Sequence, residues 1–311
     1  MTSWRSLLIG LAAILWSTDA LFRLPLTQGL SAYTIVFYEH LLAMVFVIPI
    51  IINLWPQVRK ISSRQWWAIA FIGIAASALA TLAFTLSFSY VSPSVSILLQ
   101  KLQPLVTFGL AFIVLGERLP RWFWLWAGLA LVGAYFVSFP EVSPNLTLYN
   151  KGIIGVLLAI LAAALWGGAT VFGRFLLSDL PFPLVAALRF VVALPFLAIL
   201  AFTTGGSSSF TLTVHDLFFL TIIMVGPGFG AMYLYYRGLQ VTRATVSALL
   251  ELMWPLSAVV LNWIFLHETL TALQIAGGLV LIGSIARLTI WQNRGSSNVK
   301  AQMSNQVPAT Q

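Results

Sequence analysis

Ten long apolar runs separated by short polar breaks dominate this chain, and they leave it few ways to fold. A bilayer core about 30 Å thick is crossed by roughly 20 apolar residues in an α-helix, at a rise of about 1.5 Å each. Runs at 7–24, 34–55, 66–89, 94–115, 122–139, 152–177, 182–203, 217–238, 245–266 and 273–291 meet that requirement. Membrane barrel strands would instead show segments of about 10 residues alternating in polarity, which these runs do not. Linkers such as Tyr90 to Pro93 are a few residues long, so consecutive helices are expected to be antiparallel neighbours. The expected fold class is an all-α polytopic membrane protein with ten transmembrane helices.

Composition agrees. Of 311 residues, 60% are hydrophobic and 8% charged, where a soluble domain carries about 25% charged residues. Cysteine is absent, which excludes disulfide scaffolds, thiolate zinc sites, iron–sulfur ligation and cysteine nucleophiles. The net charge of +8 does not point to nucleic acid, because the basic residues lie between apolar runs rather than on one soluble face.

Those basic residues set an orientation, since short loops rich in Lys and Arg stay in the cytoplasm. A cytoplasmic N-terminus collects Arg5, Arg59, Lys60, Arg64, Arg118, Arg121, Arg174, Arg237, Arg243, Arg287, Arg294 and Lys300 on that side. The opposite side receives Arg23 and Lys151, and Lys101 and Arg189 fall inside helices. Both termini are therefore expected in the cytoplasm. Trp55, Trp66, Trp67, Trp122, Trp124 and Trp291 lie at the same helix ends, where amphipathic rings favour the headgroup region. The polar break Trp16-Ser17-Thr18-Asp19 and the lack of a small-x-small cleavage site argue for an uncleaved first helix. The polar stretch 292–311 is expected to be a disordered cytoplasmic tail.

The chain also repeats itself. At an offset of 150, Leu15-Trp16 falls on Leu165-Trp166, Phe22 on Phe172, Ala43 on Ala193 and Phe46 on Phe196. At 151, Val95-Ser96, Leu98-Leu99, Pro104-Leu105, Leu115, Glu117 and Leu119 fall on Val246-Ser247, Leu249-Leu250, Pro255-Leu256, Leu266, Glu268 and Leu270. Two domains follow, 7–139 and 152–291. Each holds five helices, an odd number, so the second copy enters the membrane from the opposite side and the repeat is inverted. Inverted repeats recur in secondary transporters, which rock one part against another around a midplane site.

Leu15-Trp16-Ser17, Leu165-Trp166-Gly167 and Leu188-Arg189-Phe190 carry a resemblance. So do Gln103-Pro104-Leu105 through Leu115-Gly116-Glu117-Arg118-Leu119, and Trp254-Pro255-Leu256 through Leu266-His267-Glu268-Thr269-Leu270. With these residues the sequence resembles the drug/metabolite transporter superfamily, EamA type, over roughly 7–291. That resemblance implies a ten-helix transporter, commonly an exporter of amino acids or related small metabolites, in a bacterial plasma membrane. Tyr38-Glu39-His40 stands where the Leu-Arg-Phe pattern would be in the first half, so the family resemblance by itself does not assign a substrate.

Ionisable groups near a bilayer centre each need a reason, because burying one costs about 2.5 to 3.5 kcal/mol. Asp19, Glu39, His40, Lys101, Arg189 and Glu251 are such groups. Glu39 and Arg189 are repeat equivalents of opposite charge, and Gln100 and Glu251 are likewise equivalent. Ser96, Gln100 and Pro104 are spaced by four, as are Ser247, Glu251 and Pro255, so each trio shares a helix face. A proline within a helix frees the carbonyl four residues earlier, here those of Gln100 and Glu251. The substrate or ion pathway is therefore expected to involve Asp19, Glu39, His40, Gln100, Lys101, Arg189 and Glu251, with kinks at Pro104 and Pro255.

Structural readings stand beside these. Asp19 and Arg23, four apart, can neutralise each other; Glu39 with Arg189, or Lys101 with Glu251, can be locking ion pairs; His40 can be a packing residue. Glu117 and Glu268 read as capping or loop-locking groups, and Gly226-Pro227-Gly228-Phe229-Gly230 as a helix break or close-packing site rather than a phosphate loop. Three buried acids against two bases leave one carboxylate over, which suggests a proton as coupling ion. The expected function is a secondary transporter of small metabolites acting by alternating access, with a facilitated uniporter or exchanger as the alternative. An intramembrane enzyme would need H-E-x-x-H or G-x-S-x-G, and neither occurs among the three His and the Ser residues. No cofactor or metal is expected, the partners being a small-molecule substrate, the lipid bilayer and protons. A non-transporting scaffold leaves the buried charges without a task.

Overall fold

A computed structural model describes residues 4–26, 29–87, 90–91, 99–100, 102–138, 152–204, 211–266 and 271–305. These residues are helical apart from short turns and linkers, with no strand among them. In chain order the helices are α1 (Leu7–Ser17), α2 (Asp19–Leu26), α3 (Ala32–Asn53), α4 (Ser63–Ala70), α5 (Ala80–Ser87), α6 (Gln103–Leu115) and α7 (Arg121–Ser138). There follow α8 (Gly152–Leu176), α9 (Phe182–Thr204), α10 (Val214–Ile223), α11 (Phe229–Leu239), α12 (Ala244–Leu250), α13 (Met253–Leu266) and α14 (Ala272–Asn305). Wider π-helical turns, Phe71–Leu79 and Met224–Gly228, join α4 to α5 and α10 to α11.

Six helical runs among the described residues are long and apolar enough to cross a membrane: Trp4–Arg23, Ala32–Asn53, Ser63–Phe84, Gly152–Leu176, Phe182–Thr204 and Val214–Leu239. Shorter apolar helices occupy Gln103–Leu115, Arg121–Val137, Ala244–Ala258 and Ala272–Leu288. Large apolar side chains such as Val45, Trp67, Phe112, Ile113 and Leu279 point outward and are more than half exposed, which suits a hydrocarbon surround. Multi-pass membrane architecture follows.

The packing mirrors the duplication. α3 lies on α9 and α7 on α14, each helix against its own repeat counterpart, while α1 packs on α11 and α13 and its counterpart α8 packs on α5 and α6. This exchange of partners is what two halves related by a two-fold axis make. Where α7 meets α14 the backbones nearly touch: a Cβ on Gly133 would come within 2.8 Å of the Gly277 carbonyl, and one on Gly277 within 2.9 Å of the Gly133 carbonyl.

Local chemistry explains where helices begin and bend. Ser62 and Gln65 form a capping box at the start of α4, as Thr213 and Asp216 do at α10, satisfying N–H groups that a helix start leaves free. Gly116, at φ +64°, closes α6 in the left-handed conformation a glycine accepts without a Cβ clash. The first three residues of the Gly226 to Gly230 segment lie in the π-turn Met224–Gly228: Pro227 offers no N–H to the ladder, and the helix widens around it.

Several expectations are corrected. The first run is not one helix but breaks at Thr18, where the Ser17 and Thr18 hydroxyls donate to the carbonyls of Ile14 and Leu15 at 2.6 and 2.7 Å. The run at 245–266 is interrupted rather than kinked, with a turn at Glu251–Leu252 between α12 and α13. Pro255 does not leave the Glu251 carbonyl free, because the turn tightens and the Trp254 N–H reaches it at 3.0 Å. Pro104 is not mid-helix either: it lies in the first turn of α6, beyond a turn at Leu102 whose N–H donates to the Leu99 carbonyl at 3.1 Å. α14 runs on to Asn305, into the polar stretch that begins at 292.

Candidate functional site

Two partly buried polar clusters gather most of the residues singled out above; the first is built within the first half of the chain, and the second draws on both halves. In the first, Arg23 is the hub. Its Nε and Nη2 donate to the two oxygens of Asp19 at 2.5 and 2.8 Å, and Nη2 also reaches Glu39 Oε2 at 3.0 Å. α2 supplies Asp19 and Arg23 on one face, four residues apart, and α3 brings Glu39 across. The Asp19–Arg23 reading holds as an ion pair, but Glu39 pairs with Arg23 rather than Arg189.

Arg189, also buried, donates through Nε to Ser77 Oγ and through Nη1 to Tyr236 Oη at 3.3 Å. Ser77 belongs to the π-turn 71–79, and its hydroxyl donates to the Ile72 carbonyl at 3.2 Å. Glu39 has the equivalent setting in reverse. Its Oε1 lies 2.9 Å from where a Cβ on Gly228 would be, against the other π-turn. Equivalent positions of opposite charge thus each face the widened helix of the opposite repeat. His40 is a packing residue in this arrangement, its Nδ1 2.9 Å from the Val36 carbonyl and its ring 4.8 Å from that of Phe190.

The second cluster surrounds Glu251, at the turn between α12 and α13. Gln103 Nε2 donates to Oε2 at 2.7 Å. Tyr235 Oη, Thr170 Oγ1 and Ser247 Oγ lie 2.8, 3.3 and 3.4 Å from Oε1. Thr170 and Tyr235 hydroxyls are themselves 2.9 Å apart, and Trp16 packs on the Tyr235 ring at 5.4 Å. No cation lies within ion-pairing distance of Glu251 among the described residues. Lys101, its expected partner, lies outside the described residues, as do Ser96 and Glu268.

Gln100, the repeat equivalent of Glu251, is buried and donates through Nε2 to the Ala159 carbonyl at 2.9 Å. Glu117 behaves as a locking group: Oε1 accepts from the Ala244 N–H at 2.9 Å, and Oε2 from the Thr245 hydroxyl at 2.7 Å and its N–H at 3.3 Å. It therefore caps the first turn of α12 from the other repeat. A groove of about 470 Å³ lined by Arg64, Trp67, Phe71, Phe172 and Phe175 shares no residue with either cluster.

Sequence reading alone did not select Gln103, Thr170, Tyr235, Ser77 or Tyr236, and it gave Arg23, at the outer end of the first run, Asp19 but not Glu39 as a partner. The signal for Tyr235 was present, since it falls on Phe84 at the offset of 151 that aligns Glu251 with Gln100. Chemically, the Glu251 set is a carboxyl group held by neutral donors at a helix break, the setting in which transporters place substrate and ion sites.

The EamA-like transporter family model matches residues 3–139 and again 153–290. The chain is 30% identical over 291 residues to the riboflavin transporter ImpX of Fusobacterium nucleatum subsp. nucleatum, covering 91% of this chain and 97% of that protein. It is 23% identical over 289 residues to the uncharacterized transporter YvbV of Bacillus subtilis, covering 90% of each. A protein of known crystal structure shares the fold with a TM-score of 0.77 and 18% identity, over 93% of this chain and 98% of that one.

Proposed function

The chain belongs to the EamA-like transporter family and is a membrane transporter rather than an enzyme, and from that premise we propose that it is a ten-helix secondary carrier of a small amphipathic metabolite with a planar ring. It works by alternating access as two inverted five-helix repeats, 7–139 and 152–291, in a bacterial plasma membrane with both termini cytoplasmic. The observation that carries the site is the 2.7 Å hydrogen bond from Gln103 to Glu251, which joins the two repeats at turns that interrupt their equivalent helices.

The relative named a riboflavin transporter supports a ring-bearing, hydroxyl-rich cargo. Half-buried Trp16 and Trp166, repeat equivalents, suit it as stacking walls. Net direction in a secondary carrier follows the gradients, and export, the direction implied by the family resemblance, is the expected flow when cargo accumulates inside.

Glu251 is the proposed proton carrier. Gln103 Nε2 can only donate, so Oε2 stays an acceptor, but the three hydroxyls around Oε1 can rotate from donor to acceptor. The same cage therefore accommodates a carboxylate and a carboxylic acid. Purified protein in proteoliposomes loaded with riboflavin tests the reading: release above that of protein-free vesicles, faster when the outside is made acid, is expected. Release no faster than the control removes the substrate, and release that ignores the imposed pH gradient removes the coupling and leaves a uniporter or exchanger.

A further inference from the structure

The repeat register and the ring contacts together define two matching half-sites. Trp16 packs on Tyr235 and Trp166 on Phe84, both with ring centroids 5.4 Å apart. Trp16 and Trp166 are repeat equivalents, and so are Tyr235 and Phe84, and Glu251 and Gln100. One half-site is thus Trp16, Tyr235 and Glu251; the other is Trp166, Phe84 and Gln100. They differ by one hydroxyl and one charge.

In the first, Tyr235 supplies a donor to Glu251 Oε1 at 2.8 Å. In the second, Phe84 has no hydroxyl to offer, and Gln100 Oε1 has no hydrogen-bond partner, the one such buried side-chain atom among the described residues. Gln100 is only 8% exposed. Its amide orientation is set by the bond from Nε2 to the Ala159 carbonyl, since the flipped carboxamide would bring two acceptors together. Native proteins rarely leave a buried acceptor empty, so each such atom calls for a specific explanation.

We infer that Gln100 Oε1 reads the cargo: it accepts the ring N–H of a planar substrate laid on Trp166, while the Glu251 half takes the substrate's hydroxyl-bearing part. This rests on the carrier reading above and adds the pole of the site that recognises the ring. A lone acceptor, at the position whose repeat equivalent is ringed by hydroxyls, fits a neutral N–H donor. The Glu251 set, rich in hydroxyls that donate and accept, fits alcohols. Oε1 is sealed in this conformation, so admission of the donor belongs to another state of the proposed alternating-access cycle. The duplicated site thereby gains a polarity that orients a single cargo molecule.

Riboflavin, which carries one ring N–H, and 3-methylriboflavin, which lacks it, are the probes, compared by kcat/KM in proteoliposomes. The wild type should favour riboflavin by about tenfold, the value of one neutral hydrogen bond. Gln100→Leu should lose that preference. Phe84→Tyr should lose it too, because its hydroxyl fills Oε1 from within as Tyr235 fills Glu251, and this variant decides the matter if Gln100→Leu does not fold. A wild type that takes both probes equally, or a folded variant that keeps the preference, overturns the role of Gln100 and leaves the carrier reading standing. A wild type that moves neither probe removes the riboflavin-like cargo, and with it the role of Gln100 in reading a ring N–H.

Discussion

Gln103 Nε2 and Glu251 Oε2 meet at 2.7 Å although 148 residues separate them. Each stands beside a turn, at Leu102 and at Glu251–Leu252, in helices that the repeat makes equivalent. On the proposed alternating-access mechanism, rocking of the repeats would lengthen or re-aim that bond and so link the state of the carboxyl group to the relative position of the halves. The Glu251 network also includes Thr170 from α8 and Tyr235 from α11, which extends the coupling through the packed centre.

Glu251→Gln should keep the fold and uncouple transport. The new carboxamide can turn its oxygen to Gln103 and its amide to the hydroxyls, so the thermal midpoint should change little. A group that no longer takes a proton should give efflux indifferent to acidification of the outside, where the wild type accelerates. Glu251→Ala leaves the donors unfilled and should cost about 1–3 kcal/mol. Flux at matched and imposed pH gradients, with unfolding midpoints of both variants, checks the pair.

Arg23 neutralises two carboxylates, so removing it should cost more than removing either acid. Breaking a buried pair costs about 3–5 kcal/mol, and the side chains here are 11–28% exposed, which places Arg23→Ala at about 3 kcal/mol. Asp19→Asn, the most exposed of the three, should cost about 1 kcal/mol. Restoring stability to Arg23→Ala by a second change, Glu39→Gln, would confirm that the stranded charge is the cause. Chemical unfolding in detergent followed by tryptophan fluorescence measures all of these.

What was legible in the sequence was what hydropathy and register express. The apolar runs, the duplication and the buried acids needed only local patterns, and Glu39, Arg189 and Glu251 all lie in polar clusters. Asp19–Arg23 was legible from its spacing, but the partners of Glu251 were not, because Gln103 and Thr170 come from helices far apart in sequence. Arg23 stood at the outer end of the first run with Asp19 as its visible partner, while the break at Thr18 turns α2 so that Arg23 also reaches Glu39 on α3. The helix interruptions escaped for a similar reason: a proline marks a disturbance, and whether it kinks the helix or starts a new one depends on which neighbouring N–H takes the exposed carbonyl.

Glu117→Ala should loosen the start of α12, where three donors converge on the carboxylate. Loss of a helix cap costs about 0.5–2 kcal/mol. Glu117→Gln, which still offers one acceptor oxygen, should lose about half as much. Hydrogen exchange resolves the effect locally: the Ala244 and Thr245 amides should exchange faster in the alanine variant, while those in the middle of α9 stay protected. Unchanged exchange at these two amides would remove the capping role.

The α7–α14 contact predicts opposite outcomes for two glycines on one helix. At Gly133 an added Cβ meets the Gly277 carbonyl at 2.8 Å and the Leu281 nitrogen at 2.9 Å, both backbone atoms, whereas at Gly128 nothing lies within 4 Å. Gly133→Ala must push the two helices apart, and Gly133→Leu more so, because backbone cannot turn aside as a side chain can. Gly128→Ala meets no such obstacle and gains helix propensity, about 0.5–1 kcal/mol. The yield of monodisperse protein and its unfolding midpoint should fall stepwise from wild type through Gly133→Ala to Gly133→Leu. Gly128→Ala should match or exceed the wild type, which separates a packing contact from a general intolerance of this helix to substitution.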